Sequence, residues 1–100
     1  MKEQYCQELC VSLQKSLRKM FVSVRAGEDI EVDPVLVTFG ELQKILDTSG
    51  ALSIDTTNMV YDVVQDLNEL ISDLKDEVTR TRLKIISMRA QDRYKHTQGV

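Results

Sequence analysis

Few residues in this chain have the types or spacing that chemistry requires. There is one histidine, His96, near the C-terminal end. Two cysteines, Cys6 and Cys10, stand four residues apart near the other end. Four residues is one helical turn, so both thiols fall on one helix face. A CxxxC pair with no second pair and no adjacent histidine lacks the spacing of a zinc site. The pair reads instead as reduced thiols in a helical core. Ser12, Ser16 and Ser23 have no histidine near them in sequence, and one terminal histidine does not make a triad. No glycine-rich phosphate cradle of the GxGxxG or GxxxxGK type is present. The expectation is a protein that is not an enzyme, with no catalytic residues, no metal ligands and no cofactor.

Charge is the next candidate. The net charge is −3, but it is distributed in blocks. Residues 1–25 carry +3, residues 26–33 carry −4, residues 55–77 carry −6 and residues 78–100 carry +5. The acids Asp62, Asp66, Glu69, Asp73, Asp76 and Glu77 read as the solvated face of a helix. The bases Arg80, Arg82, Lys84, Arg89, Arg93 and Lys95 would suit a nucleic-acid backbone. Only Tyr94 stands among them to stack on a base, and the whole chain is acidic, so nucleic acid is an unfavoured partner. Two arrangements satisfy the blocks. Two copies could pair in a staggered antiparallel fashion, or the acidic segment could face the basic first helix of its own chain.

Apolar spacing defines the elements that position these groups. Cys6, Cys10, Leu13, Leu17, Met20 and Val24 repeat at intervals of four and three, which predicts a helix over about 3–26. Gly27 is its left-handed stop. Ile30 and Val32 alternate with acids in a short extended link that tucks both inward. Asp33 followed by Pro34 predicts a helix start, with the carboxylate as cap. That second helix runs to about 48, with Leu36, Phe39, Leu42, Ile45 and Leu46 inward, Val35 and Val37 beside them, and Gly50 as its stop. Gly40 inside it either weakens it or lets another backbone approach. Leu52 and Ile54 are expected to plug the end of the core.

From Asp55 or Thr56, as cap, a third helix is predicted to about 97. Val60, Val64, Leu67, Ile71, Leu74, Val78, Thr81, Ile85 and Met88 keep a 3.5-residue period without an interrupting Pro or Gly. At 1.5 Å per residue such a helix is about 60 Å long, against about 35 Å and 22 Å for the first two. The expected architecture is therefore all-α, a single helical domain over 1–100. It has three helices, the third long and overhanging. The overhang needs a partner, so Val78, Ile85, Met88 and Tyr94 are the expected interface. A homodimer or a helical protein partner would cover it, or a following domain. No apolar run is long enough for a membrane span, and no secretory leader is evident at the N-terminus, so the expected location is the cytoplasm.

One segment carries a resemblance. Arg25-Ala26-Gly27-Glu28-Asp29-Ile30-Glu31-Val32-Asp33, between two amphipathic helices, resembles the R-x-G-x-x-I-x-V turn in the helical lead-in of HD-GYP proteins. The tail, with Asp92, Tyr94, His96 and Lys95-His96-Thr97-Gln98-Gly99-Val100, is similar to the opening of an HD phosphohydrolase domain. The resemblance covers the first half and the last 15 residues. It implies a module coupled to hydrolysis of phosphodiesters, often cyclic di-GMP, at a metal site. His96 would match the first histidine of that site, and the later ligands are not in this sequence. The chain then reads as the regulatory or dimerising part of a signalling protein. The alternative is a free-standing helical adaptor or chaperone-like interaction module.

Overall fold

A computed structural model describes the backbone of residues 2–48 and 52–97, and the side chains of 3–48 and 52–92. Four helices follow one another: α1 (Lys2–Arg25), α2 (Asp33–Thr48), α3 (Ile54–Asp73) and α4 (Glu77–Thr97). No strand occurs among the described residues.

The buried stripe of α1 falls where the spacing predicts it, except that Val24 is only half-buried. Cys6, Leu9, Cys10, Leu13, Leu17 and Met20 form the buried stripe of α1. Gly27 has φ of 76°, a conformation open to glycine without strain. The Gly27 and Glu28 N–H groups close the end of α1 on the carbonyls of Val24 and Ser23, at 3.1 and 2.9 Å. Val32 is buried and Ile30 half-buried, as the alternating link requires. In α2, Val35, Phe39, Leu42, Ile45 and Leu46 face the core, while Leu36 is half-buried and Val37 exposed. The expected stop at Gly50 lies outside the described residues.

Capping differs from expectation at two starts. The carboxylate of Asp33 accepts from Arg82 at 3.0 Å rather than from its own helix. The cap of α3 is Ser53, whose hydroxyl accepts from the Thr56 N–H, and not Asp55 or Thr56. Ile54, expected in the core, is exposed, and Leu52 alone packs against it.

The predicted third helix is two helices. The 3.5-residue seam is real through Val60, Val64, Leu67, Ile71 and Leu74, all buried. At Leu74 the backbone turns extended, with φ −78° and ψ 137°, and its N–H bonds the Ile71 carbonyl at 3.2 Å. Asp76 then starts α4: its carboxylate accepts from the Thr79 N–H at 3.1 Å and from the Thr79 hydroxyl at 2.5 Å. The cap supplies an acceptor for an N–H that a helix start leaves unpaired. Beyond the break the buried positions are Leu83, Ser87 and Ala90, with Ile86 partly buried. Val78, Ile85 and Met88, which continue the seam by spacing, point outward.

Among the described residues there is accordingly no overhang. The described residues span 40 Å along their longest axis, shorter than the roughly 60 Å of an unbroken helix at 1.5 Å per residue. The molecule is a four-helix bundle instead of three helices with a projecting arm. Folding α4 back removes its inner face from water, and that burial offsets the lost helical turn.

The bundle has an unusual order. Among the described residues α1 touches α2 and α3, and α4 touches α2 and α3; α1 and α4 stand on one diagonal, α2 and α3 on the other. Glu3 of α1 bonds Ser53 and Thr56 at the start of α3, so these neighbours run parallel. Asp33 with Arg82, and Gln43 with the Ile86 carbonyl, show the same for α2 and α4. Ser87 on Asn68, at 2.5 Å, fixes α3 and α4 antiparallel. The link between α2 and α3 therefore crosses the diagonal.

Candidate interaction surface

Turning α4 through about 100° per residue places Leu83, Ser87 and Ala90 on one side and Val78, Thr81, Ile85 and Met88 on the other, within an arc of about 80°. The inner side is spent on the bundle. The outer ridge is bare: Val78 is 69%, Ile85 47% and Met88 65% exposed. Ile85 and Met88 stand one turn apart on this face, and Val78 stands two turns before Ile85 with exposed Thr81 between them. Exposed bases flank it, Arg82 and Arg89 toward α2 and Lys84 toward α3. The expected interface residues Val78, Ile85 and Met88 are thus together on the surface, for a reason other than overhang. The side chains of Tyr94 and His96 lie outside the described residues.

The α2 side of this surface was less legible. Val37 is 64% exposed. Gly40 is partly exposed in mid-helix, and a Cβ placed on it meets nothing within 4 Å. Its glycine identity was the available signal. The register that sets it beside α4 comes from the Gln43 amide, which donates to the Ile86 carbonyl at 3.4 Å.

The acidic face of α3 meets its own chain. Burial, and next the neighbouring Glu69, push the Asp66 carboxyl up, and Arg18 of α1 pulls it down. Of the two charge arrangements allowed by sequence, the acidic segment beside the basic first helix is present in this fold.

Three other features hold chemistry-bearing groups. Cys6 and Cys10 are both fully buried and both free. The mutual influence of the two neighbouring thiols lowers the Cys6 pKa and raises that of Cys10, which burial raises further. At the parallel starts of α1 and α3, the Thr56 hydroxyl is fully buried. It donates to Glu3 at 2.7 Å and accepts from the Gln7 amide at 2.8 Å and the Ser53 hydroxyl at 3.0 Å. At the opposite end a cleft of about 450 Å³ lies between the two short turns, lined by Gly27, Asp29, Ile30, Asp73, Lys75 and Asp76 among others. Among the described residues no group of three or more His, Cys, Asp or Glu is placed to hold a metal. Among those residues too, no helix is long and apolar enough to cross a membrane.

Compared with protein-family models, curated proteins and solved structures, the chain matches none.

Proposed function

We propose that this protein is a non-catalytic helical interaction module of the cytoplasm, which docks through the outer ridge of α4. The observation that supports the reading is the line Val78, Ile85 and Met88, exposed on a helix whose opposite face is buried at Leu83, Ser87 and Ala90. Burying three such side chains on a partner is worth on the order of 25 cal/mol per Å² of apolar area removed from water. The flanking Arg82, Lys84 and Arg89 would add orientation and association rate more than affinity.

The resemblance gives this module one form, a dimerising and regulatory part that would couple to an HD-type phosphodiesterase. The second form is a free-standing adaptor or chaperone-like protein. A photo-crosslinking residue at position 85, expressed in the cells that make the protein, tests the shared claim. Position 62 on α3 is the control. A discrete adduct from 85 and none from 62 is expected. Equal background from both positions would end the reading.

A further inference from the structure

We infer that α4 is a hinged cover. It swings about Leu74–Asp76 as a unit while α1 still holds α2 and α3, and it uncovers the apolar strip on which it lies. The inference stands whatever the outer ridge of α4 binds.

The bundle has a firm side and a weak side. α2 and α3 occupy one diagonal, and α1 and α4 fill the two gaps between them. From one gap α1 sends six apolar side chains into the core: Cys6, Leu9, Cys10, Leu13, Leu17 and Met20. From the other, among the described residues, α4 sends two, Leu83 and Ala90, with Ser87 between them. Burial of apolar area is the main term that holds a helix in a bundle, so α1 grips α2 and α3 more firmly than α4 does.

Polar contacts supply much of the remaining hold on α4. The Gln43 amide donates to the Ile86 carbonyl at 3.4 Å, and the Ser87 hydroxyl to Asn68 at 2.5 Å. Arg82 pairs with Asp33 at 3.0 Å, both side chains exposed. When α4 lifts, water takes the place of each partner, so the net hold of these contacts is small. Arg80 opposes closure. It stands one turn before Leu83 on the inner side of α4. Its Nε is buried and has no hydrogen-bond partner among the described residues. Closing α4 removes that N–H from water without a replacement, and opening restores its hydration.

The joint is built to move without melting the helix. Leu74 is already extended, and Lys75 after it is exposed. The start of α4 is self-contained: Asp76 accepts from the Thr79 N–H and hydroxyl, and the Arg80 N–H bonds the Asp76 carbonyl. α4 therefore keeps its cap as it swings.

The covered strip can be named from the two helix-to-helix bonds. Phe39 and Leu46 lie one turn either side of Gln43 on α2, and Val64 and Ile71 one turn either side of Asn68 on α3. All four are buried in the closed bundle. With α4 lifted they line an open groove between α2 and α3.

Native-state hydrogen exchange, followed by NMR on the full chain in low concentrations of urea, tests the inference. The amides from Leu83 to Ala90 should share one opening equilibrium, about 100-fold or more larger than that of the Leu9–Leu17 amides. Their opening should also respond less to urea, because lifting one helix exposes less surface than unfolding the chain. Leu9 lies one turn after Tyr5, which bonds Glu41 of α2, and so stays packed when α4 is open. Leu9→Ala should therefore speed exchange in α1 by about thirtyfold or more and leave residues 83–90 unchanged. Cys6→Ala is the milder variant and should show the same pattern at smaller size. Equal protection and equal urea response in α1 and α4 would overturn the inference, as the bundle would then open only as a whole. So would protection that falls steadily from Leu83 to Ala90, which is fraying from the end, or a Leu9→Ala variant that speeds both helices alike.

Discussion

The Thr56 hydroxyl donates to Glu3 Oε1 at 2.7 Å across 53 residues of sequence, and joins the first turns of two helices that run side by side. The same carboxylate oxygen accepts from the Ser53 N–H at 2.9 Å. A carboxylate at this position holds the α1–α3 contact in register and completes the start of α3.

That relationship sets an acid dependence. Hydrogen bonds from Ser53, and next from Thr56, hold the Glu3 carboxyl below its ordinary range. The folded pKa is therefore lower than the unfolded one. Its stabilisation is present above about pH 4.5, the ordinary value, and is lost as the pH falls through the folded value. Asp66 acts with the opposite sign: burial raises its carboxyl, so the folded state takes up its proton more readily. Glu3→Gln should lower the Tm at neutral pH and flatten its fall between pH 5 and 3. Thermal melts of both proteins across that range check this. Parallel curves would show that the Glu3 charge is immaterial.

The break between α3 and α4 is open to a proline test. Leu74 already has ψ of 137°, the extended conformation that a following proline imposes. Lys75→Pro should leave stability within about 1 kcal/mol of wild type, whereas proline inside a continuous helix costs about 3 kcal/mol or more. Urea unfolding at neutral pH distinguishes the two, and a large loss would restore the unbroken helix.

Which face of α4 is inside can be weighed directly. Leu83 is fully buried and Met88 is 65% exposed. Leu83→Ala should cost about 2–5 kcal/mol through lost contact and the cavity left behind. Met88→Ala should fall within about 0.5 kcal/mol, as surface changes do. The seam drawn through Val78, Ile85 and Met88 requires the reverse order, and chemical denaturation of the two variants decides between them.

The thiols make a kinetic prediction. Cys6 and Cys10 are shielded in the core, so a disulfide reagent can reach them only when the α1 end opens. Labelling of the native protein should be slow and should speed up with added denaturant, in step with local opening. After opening, both should react. Thiol release followed by absorbance measures this, and immediate labelling of the native chain would contradict the buried pair.

The Gly27 stop, the inward Val32 and the buried stripe of α1 were legible because each depends on local spacing and backbone preference. Residues 60–74 were legible for the same reason: a helix of 3.6 residues per turn has no other way to use that pattern. The break at Leu74–Asp76 was not. The apolar period runs through it unchanged, and no Pro or Gly marks it. Thr79, inside that unbroken period, donates to the cap of the new helix.

The candidate surface divides in the same way. Sequence alone determined that Val78, Ile85 and Met88 share one helix face, because spacing fixes the face. It could not determine whether that face looks inward. That depends on Leu83, Ser87 and Ala90 finding room against α2 and α3, where two small side chains let the helices approach. Ser and Ala carry little hydrophobic signal, so the face with the stronger apolar pattern lost to the one that fits. The register of Gly40 beside α4 is likewise a product of the diagonal crossing from α2 to α3. Only the assembled bundle, with every helix competing for the same core, settles it.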